Sequence, residues 1–287
     1  MNKKIINTMV GAALGLVLVS PLGAQLAAAD DTKPMISLSQ TVVGAGEEFE
    51  VALSVADNIG IAGMQVKIAY DGEVITPVSE GLSTTLGGES SVNYSENAIE
   101  FVWADYQNYT ENGDIVTVKF EANADTVYAT SDITIEEIAV YNAEEEQVNV
   151  ATENAKCYVA NLAETGTQTS SATDGKYAVR FVGKIDTGLK EYLLASGNSF
   201  GFDISLNGEG VTKAETRSFT CNYLMHSISG SSYIDGGLES EEGKEYFALT
   251  VYNLPVGYTV AEYSVWFEID GVKFVNNIGE ISLAPAV

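Results

Sequence analysis

The feature that most constrains this chain is an alternation of apolar and polar residues with a period of two, in short runs broken by turn residues. Successive side chains of a strand point to opposite faces, so an extended run of this kind buries one face and leaves the other in water. Phe49, Val51, Leu53 and Val55 alternate with Glu50, Ala52 and Ser54; Met64, Val66, Ile68 and Tyr70 alternate with Gln65, Lys67 and Ala69. Ile99, Phe101 and Trp103 alternate with Glu100, Val102 and Ala104, and Val116, Val118 and Phe120 with Thr117 and Lys119. The rhythm returns from Tyr177 to Phe181, from Phe200 to Leu206, from Phe247 to Val251 and from Tyr263 to Phe267. Asn58-Ile59-Gly60, Asp71-Gly72, Gly87-Gly88, Asn112-Gly113-Asp114, Asn207-Gly208 and Asp270-Gly271 punctuate the runs. Asn-Gly and Asp-Gly pairs suit the tight hairpin turn whose central residues take positive φ. Many short strands so punctuated predict an all-β chain of antiparallel sandwiches. Leu189–Ala195 reads as a short helical turn, and no helix beyond about two turns is expected.

A chain of 287 residues has room for about two domains. Asn161–Gly175 (NLAETGTQTSSATDG) is rich in Thr, Ser, Gly and Ala, lacks apolar periodicity and reads as a linker. Residues 30–160 hold 24 acidic and 4 basic side chains, whereas residues 161–287 hold 16 and 8. The expected organisation is a β-sandwich over 30–160, a linker over 161–175 and a second β-sandwich over 176–287. Residues 1–29 read as a secretory signal peptide: Lys3 and Lys4 give a basic start, an apolar run follows from Met9 to Val19, and Ala27-Ala28-Ala29 supplies small residues for cleavage. That run is shorter than the ~20 residues a bilayer requires, and Pro21 interrupts it. No later apolar stretch is long enough to span, so the mature chain is expected to be secreted and extracellular, near or at a bacterial cell surface.

Composition removes several function classes. A net charge of −26 repels a phosphate backbone and argues against nucleic-acid binding. One histidine cannot build a multi-histidine metal site, and two cysteines cannot build a four-thiolate one. Serine catalysis would have to use that same His226, and no G-x-S-x-G elbow is present. Cys221 and His226, five residues apart in a strand or loop, have no geometry that sets a nucleophile against its base. Forty carboxylates guarantee some close pairs, which is what a glycoside hydrolase needs. They fall mostly where a solvated strand face or a turn would put them, however, and Glu144-Glu145-Glu146 reads as an exposed loop. The expectation is a non-catalytic protein. Its rival is a carbohydrate-binding module or surface structural protein, with Tyr106, Tyr109, Tyr223, Tyr233, Tyr258 and Tyr263 as candidate stacking rings. Cys157 and Cys221 either pair or remain free thiols.

The first domain runs through Gly44–Val55 (GAGEEFEVALSV), Ile61–Val78 (IAGMQVKIAYDGEVITPV), Ala98–Tyr106 (AIEFVWADY), Asn112–Ala122 (NGDIVTVKFEA) and a closing stretch from Ile133 to Val159. In this order and spacing the segments resemble a type I cohesin, the module of bacterial scaffoldins that captures dockerin-bearing enzymes. The resemblance covers residues 35–160. Its specific parts are the strand ending in Tyr70-Asp71, the strand ending in Trp103-Ala104-Asp105, and the Asn-Gly-Asp turn before an alternating strand. Gly72 stands where many cohesins have proline, and Gly63 and Gln65 stand where Asn or Asp is frequent. These departures bear on partner specificity more than on fold. The second domain resembles no family, and polysaccharide binding, envelope contact and a spacer role all stay open for it.

The resemblance implies a jelly-roll sandwich whose outward strand residues meet a dockerin. If the two strands share a sheet face, Gly63, Gln65, Lys67 and Ala69 lie beside Glu100, Val102 and Ala104, forming a flat patch with a small, apolar centre and polar edges. That is the anatomy of an interface rather than a pocket. By resemblance the dockerin-binding residues are Gly63, Gln65, Lys67, Tyr94, Val102, Ala104, Asp105, Glu146 and Gln147. No cofactor is expected in this chain, because calcium would sit in the dockerin. The implied partners are dockerin-bearing extracellular enzymes or scaffold proteins, with polysaccharide a further partner for the second domain, in a cellulosome- or amylosome-type assembly.

Overall fold

The computed structural model describes residues 33–169, 176–207, 216–228, 240–255 and 260–282. The signal-peptide residues 1–29 and Gly208 of the Asn207-Gly208 turn lie outside them. The chain forms two compact units. The first comprises the described residues up to Asn123 together with Thr130–Tyr158; the second comprises Ala124–Ala129 and the residues from Val159 onward.

Eleven strands build the first unit, with the first two residues of β9 and the last two of β11 belonging to the second. They are β1 (Met35–Leu38), β2 (Thr41–Gly44), β3 (Glu48–Ala56), β4 (Ile61–Ala69), β5 (Ile75–Thr84), β6 (Glu89–Tyr94), β7 (Ala98–Tyr109), β8 (Gly113–Ala122), β9 (Tyr128–Tyr141), β10 (Ala151–Glu153) and β11 (Ala155–Ala160). One sheet has the order β10-β1-β3-β8-β5 and the other β2-β11-β9-β4-β7-β6. The period-two pattern explains the layers. Val51, Leu53 and Val55 of β3 face Val118, Val116 and their neighbours across the ladder and are at most 3% exposed. Met64, Val66, Phe101 and Trp103 of the second sheet are at most 1% exposed. Tyr70, just past β4, meets Phe120 of β8 edge-on with ring centroids 5.3 Å apart, so the inner faces of the two sheets touch. The indole N–H of Trp103 donates to the carbonyl of Gly87, which satisfies its one polar group inside the core.

The second unit has a three-stranded sheet, β12 (Glu164–Thr169), β13 (Lys176–Asp186) and β16 (Lys244–Pro255), in that order. Its four-stranded sheet has the order β15-β14-β17-β18, from β14 (Ser199–Asn207), β15 (Thr216–Cys221), β17 (Val260–Ile269) and β18 (Val272–Ser282). A 3-10 turn, Thr187–Leu189, leads into the short helix α1 (Lys190–Leu194), where the sequence predicts a helical turn. An aromatic core joins the sheets: Phe181 lies 5.1 Å from Tyr263, and Phe247 lies 4.9 Å from Phe200 and 5.2 Å from Phe202. Gly183 makes room for this core, since a Cβ there would come within 2.3 Å of the Phe247 ring. Asp270 (φ 53°) and Gly271 (φ 79°) link β17 to β18, the positive-φ hairpin turn that the Asp-Gly pair announces.

Part of the stretch read as a linker is structured. Glu164–Thr169 is strand β12 and pairs antiparallel with β13 from Glu164↔Lys184 to Thr169↔Val179. Threonine is β-branched and favours strands, so a polar, low-complexity composition conceals an edge strand here. The rest of the presumed linker, residues 170–175, lies outside the described residues.

Candidate protein-docking face

The outer face of the β9-β4-β7-β6 layer is set by register. Gly63, Gln65 and Lys67 of β4 stand opposite Ala104, Val102 and Glu100 of β7. The same three stand opposite Tyr141, Ala139 and Glu137 of β9 on the other side. Beyond β7, the edge strand β6 adds Glu89, Ser91 and Asn93. Three rows result: Tyr141-Gly63-Ala104-Glu89, Ala139-Gln65-Val102-Ser91, and Glu137-Lys67-Glu100-Asn93. Residues so aligned lie on one face. The alternating residues Met64, Val66, Phe101 and Trp103 fill the core beneath. The first two rows have uncharged centres, Gly63-Ala104 and Gln65-Val102, with Glu89 at the border of the first, and the third row sets Lys67 between Glu137 and Glu100.

A bulge between Lys67 and Ile68 on the β4–β9 ladder displaces Glu136 from the regular pairing. Its carboxylate reaches Lys67 Nζ at 2.8 Å. The Lys67 ammonium is held above its ordinary pKa, first by the hydrogen bond and charge of Glu136 and then by Glu137 and Glu100.

Residues 35–159 match the family model for the cohesin domain. They form a cohesin domain. Similar solved structures include a non-cellulosomal cohesin from the hyperthermophilic archaeon Archaeoglobus fulgidus, at 19% identity over 45% of this chain and 92% of that one, with a TM-score of 0.40. A novel type I cohesin–dockerin complex from Clostridium thermocellum matches at 17% identity over 45% and 99%, with a TM-score of 0.41. A solution structure from Clostridium acetobutylicum matches at 17% identity over 44% and 91%, with a TM-score of 0.39. No curated protein matches the chain.

The cohesin domain sorts the candidate residues into three groups. Gly63, Gln65, Lys67, Val102 and Ala104 lie together in the rows. Glu146 and Gln147 occupy the turn that closes on Tyr141, at the end of the first row. There Asn142 N–H donates to Glu146 O at 3.0 Å, its Nδ2 reaches Glu146 Oε2 at 3.2 Å, and Gln147 bridges to Tyr141. Tyr94 and Asp105 stand apart. Tyr94 pairs with Ile99, which is 1% exposed, so its position in the alternation is that of the core-facing residues of β6. Burial pushes its phenol pKa up. One residue of offset separates it from the outward Asn93, and a strand's faces exchange at every residue. Asp105 follows Ala104 by one position, and its Oδ1 accepts the N–H of Tyr106 at 2.6 Å. That carboxylate is engaged by its own backbone.

The sequence reading passed over Ser91, Asn93, Ala139, Tyr141 and the acids Glu89, Glu136 and Glu137. Residues from Ile133 to Val159 read as one closing block, because the bulge at Glu136 breaks the alternation that would have revealed the register of β9.

Among the other candidates, Cys157 and Cys221 are free thiols. Burial raises their pKa values to about 12 and about 11, which leaves negligible thiolate at neutral pH. Cys221 Sγ lies 3.7 Å from the Ala248 carbonyl, and His226 Nδ1 lies 3.2 Å from Glu245 Oε1, so each has a partner other than the other. Tyr263, offered as a sugar-stacking ring, is 8% exposed and meets Phe181 edge-on in the core. Tyr106 and Tyr223 are exposed and Tyr109 is half-buried; Tyr233 and Tyr258 lie outside the described residues.

Proposed function

We propose that the cohesin domain is a receptor for a calcium-loaded dockerin carried by an extracellular polysaccharide-degrading enzyme or scaffold protein. The observation that supports this reading best is the register of β4 with β7, which sets Gly63, Gln65 and Lys67 beside Ala104, Val102 and Glu100 on one sheet face. A flat face with a small, apolar centre and a charged border suits a protein partner. Val102 lies centrally and would carry more of the affinity than the border charges. Glu146 and Gln147 would contact the partner from the adjoining turn. Calcium would act from the dockerin side, by ordering the helices that meet the face. Secreted through its signal peptide, the chain would act as a non-catalytic adaptor that gathers degradative enzymes.

The test uses the full chain, immobilised, against the secretome of the organism that makes it. Dockerin-bearing proteins should be retained in calcium and released by a chelator. Val102→Asp should weaken a captured dockerin by about 30-fold or more, the scale of an interface hot spot. Equal capture by that variant would show that the docking face lies elsewhere. Retardation by a glucan gel without any dockerin capture would favour the carbohydrate-binding reading.

A further inference from the structure

The docking face differs from one end to the other along its strands. Its first row, Tyr141-Gly63-Ala104-Glu89, has a glycine and an alanine at its centre, and both are buried by their neighbours. In the third row a lysine sits between two glutamates, Glu137 and Glu100. The bulged Glu136 adds a third carboxylate 2.8 Å from the Lys67 ammonium. Cross-strand neighbours of this kind are about 4.5–5.5 Å apart at Cβ, close enough for their charges to interact.

Lys67 is the sole base in these rows, and bases are scarce around it: residues 30–160 hold 4 against 24 acids. Lys119 is paired with Glu48 on the other sheet, and Lys156 with Asp132. A single ammonium offsets the mutual repulsion of three carboxylates, so the third row stays net negative. The pair is partly exposed, with 32% of the Lys67 side chain and 47% of the Glu136 side chain open to solvent. In such a setting an ion pair is weak and exchangeable.

Resting on the docking reading above, we propose that the dockerin recognised here lays an apolar patch over the row centred on Val102 and a lysine or arginine over Glu100, Glu136 and Glu137, with Lys67, ion-paired with Glu136 in the free domain, as the specificity-determining residue. The incoming cation takes over the Glu136 carboxylate that Lys67 occupies, and the Lys67 charge repels it during approach. A partner presenting an acid at that end meets like charge and is rejected.

A dockerin retained by the full chain is purified, identified and used as the probe, with affinity and association rate measured at low and at high salt. Lys67→Gln should tighten binding about threefold at low salt, mostly through a faster association rate, as expected for a border charge. The double variant Glu100→Gln/Glu137→Gln should weaken binding about tenfold at low salt and lose most of the salt dependence of the wild type. Replacing the probe's basic contact residue with glutamate should abolish capture by the wild type. Unchanged thermal unfolding of each variant shows that the sheet is intact. Binding that is weakened by Lys67→Gln, or insensitive to all the charge variants while Val102→Asp still abolishes it, overturns this inference and leaves the docking reading standing. Failure of any dockerin to be retained overturns both.

Discussion

The two sheets of the cohesin domain turn different surfaces to solvent. On the β3–β8 side the outward pairs are Glu48↔Glu121, Glu50↔Lys119, Ala52↔Thr117 and Ser54↔Asp114. Each pair carries a charge or a hydroxyl, Lys119 is ion-paired with Glu48, and the Ser54 hydroxyl donates to Asp114. On the β4–β7 side the pairs Gly63↔Ala104 and Gln65↔Val102 carry no charge, and among the β4–β7 pairs only Lys67↔Glu100 is charged. Water solvates the first surface well. A partner covering the second removes the half-buried Val102 from water, with no charge to desolvate at the centre. Both surfaces arise from the same alternating pattern, and they differ only in what occupies the outward positions.

The largest effect that would probe this contrast lies beneath the face. Trp103→Ala should destabilise the domain by about 3–5 kcal/mol, as read by denaturant unfolding followed by circular dichroism, and should abolish docking with it. Val102→Asp, one residue away but outward, should change stability by less than about 1 kcal/mol. A comparable loss would mean that Val102 belongs to the core. A buried charge in the second unit sharpens the distinction between solvated and buried carboxylates. Glu245 is 1% exposed and takes Lys190 Nζ at 2.9 Å and His226 Nδ1 at 3.2 Å on the same oxygen. Burial works to raise its pKa, but the hydrogen bonds and charges of Lys190 and His226 outweigh it and the value is lowered. A carboxylate depressed in the folded state stabilises above its unfolded pKa of about 4.3 and loses that contribution as pH falls through the folded value. In a Trp103→Phe background the fluorescence of Trp266 reports on the second unit alone. Its stability should fall as pH drops below about 4.3, and Glu245→Ala should remove that part of the slope. A slope unchanged by the substitution would assign acid sensitivity to other groups. Smaller still, Ala52→Asp on the β3–β8 surface should leave dockerin affinity within about twofold. Smallest, Lys119→Ala should cost no more than about 1 kcal/mol, the range of an exposed ion pair.

Much of this molecule could be read from its alternation. The inward sets Val51-Leu53-Val55, Met64-Val66-Ile68 and Phe101-Trp103 form the buried layer, and the condition that the Gln65 and Trp103 strands share a sheet is met by β4 and β7 as direct neighbours. Elsewhere the pattern gave no purchase. Which strand lies beside β4 on its other side is a long-range fact: β9 joins it from about seventy residues away in the chain, with a bulge that local periodicity cannot anticipate. Tyr94 shows how narrow the margin is, since its neighbour Asn93 has the outward position. Strand β12 escaped notice because its threonines read as linker composition. The placement of Ala124–Ala129 with the second unit had no signal in composition at all. Tyr128 there meets the tilted Tyr192 ring at 5.0 Å and Phe274 at 6.2 Å, contacts that join residues far apart in the chain.

The pleat separates two tasks that many folds entangle. Every second position of β4 and β7 answers to the interior, and the positions between answer to whatever arrives from outside. New partner preferences can therefore be written at Gln65, Lys67, Glu100 and Val102 while the hydrophobic layer stays untouched, so recognition can diversify without renegotiating stability.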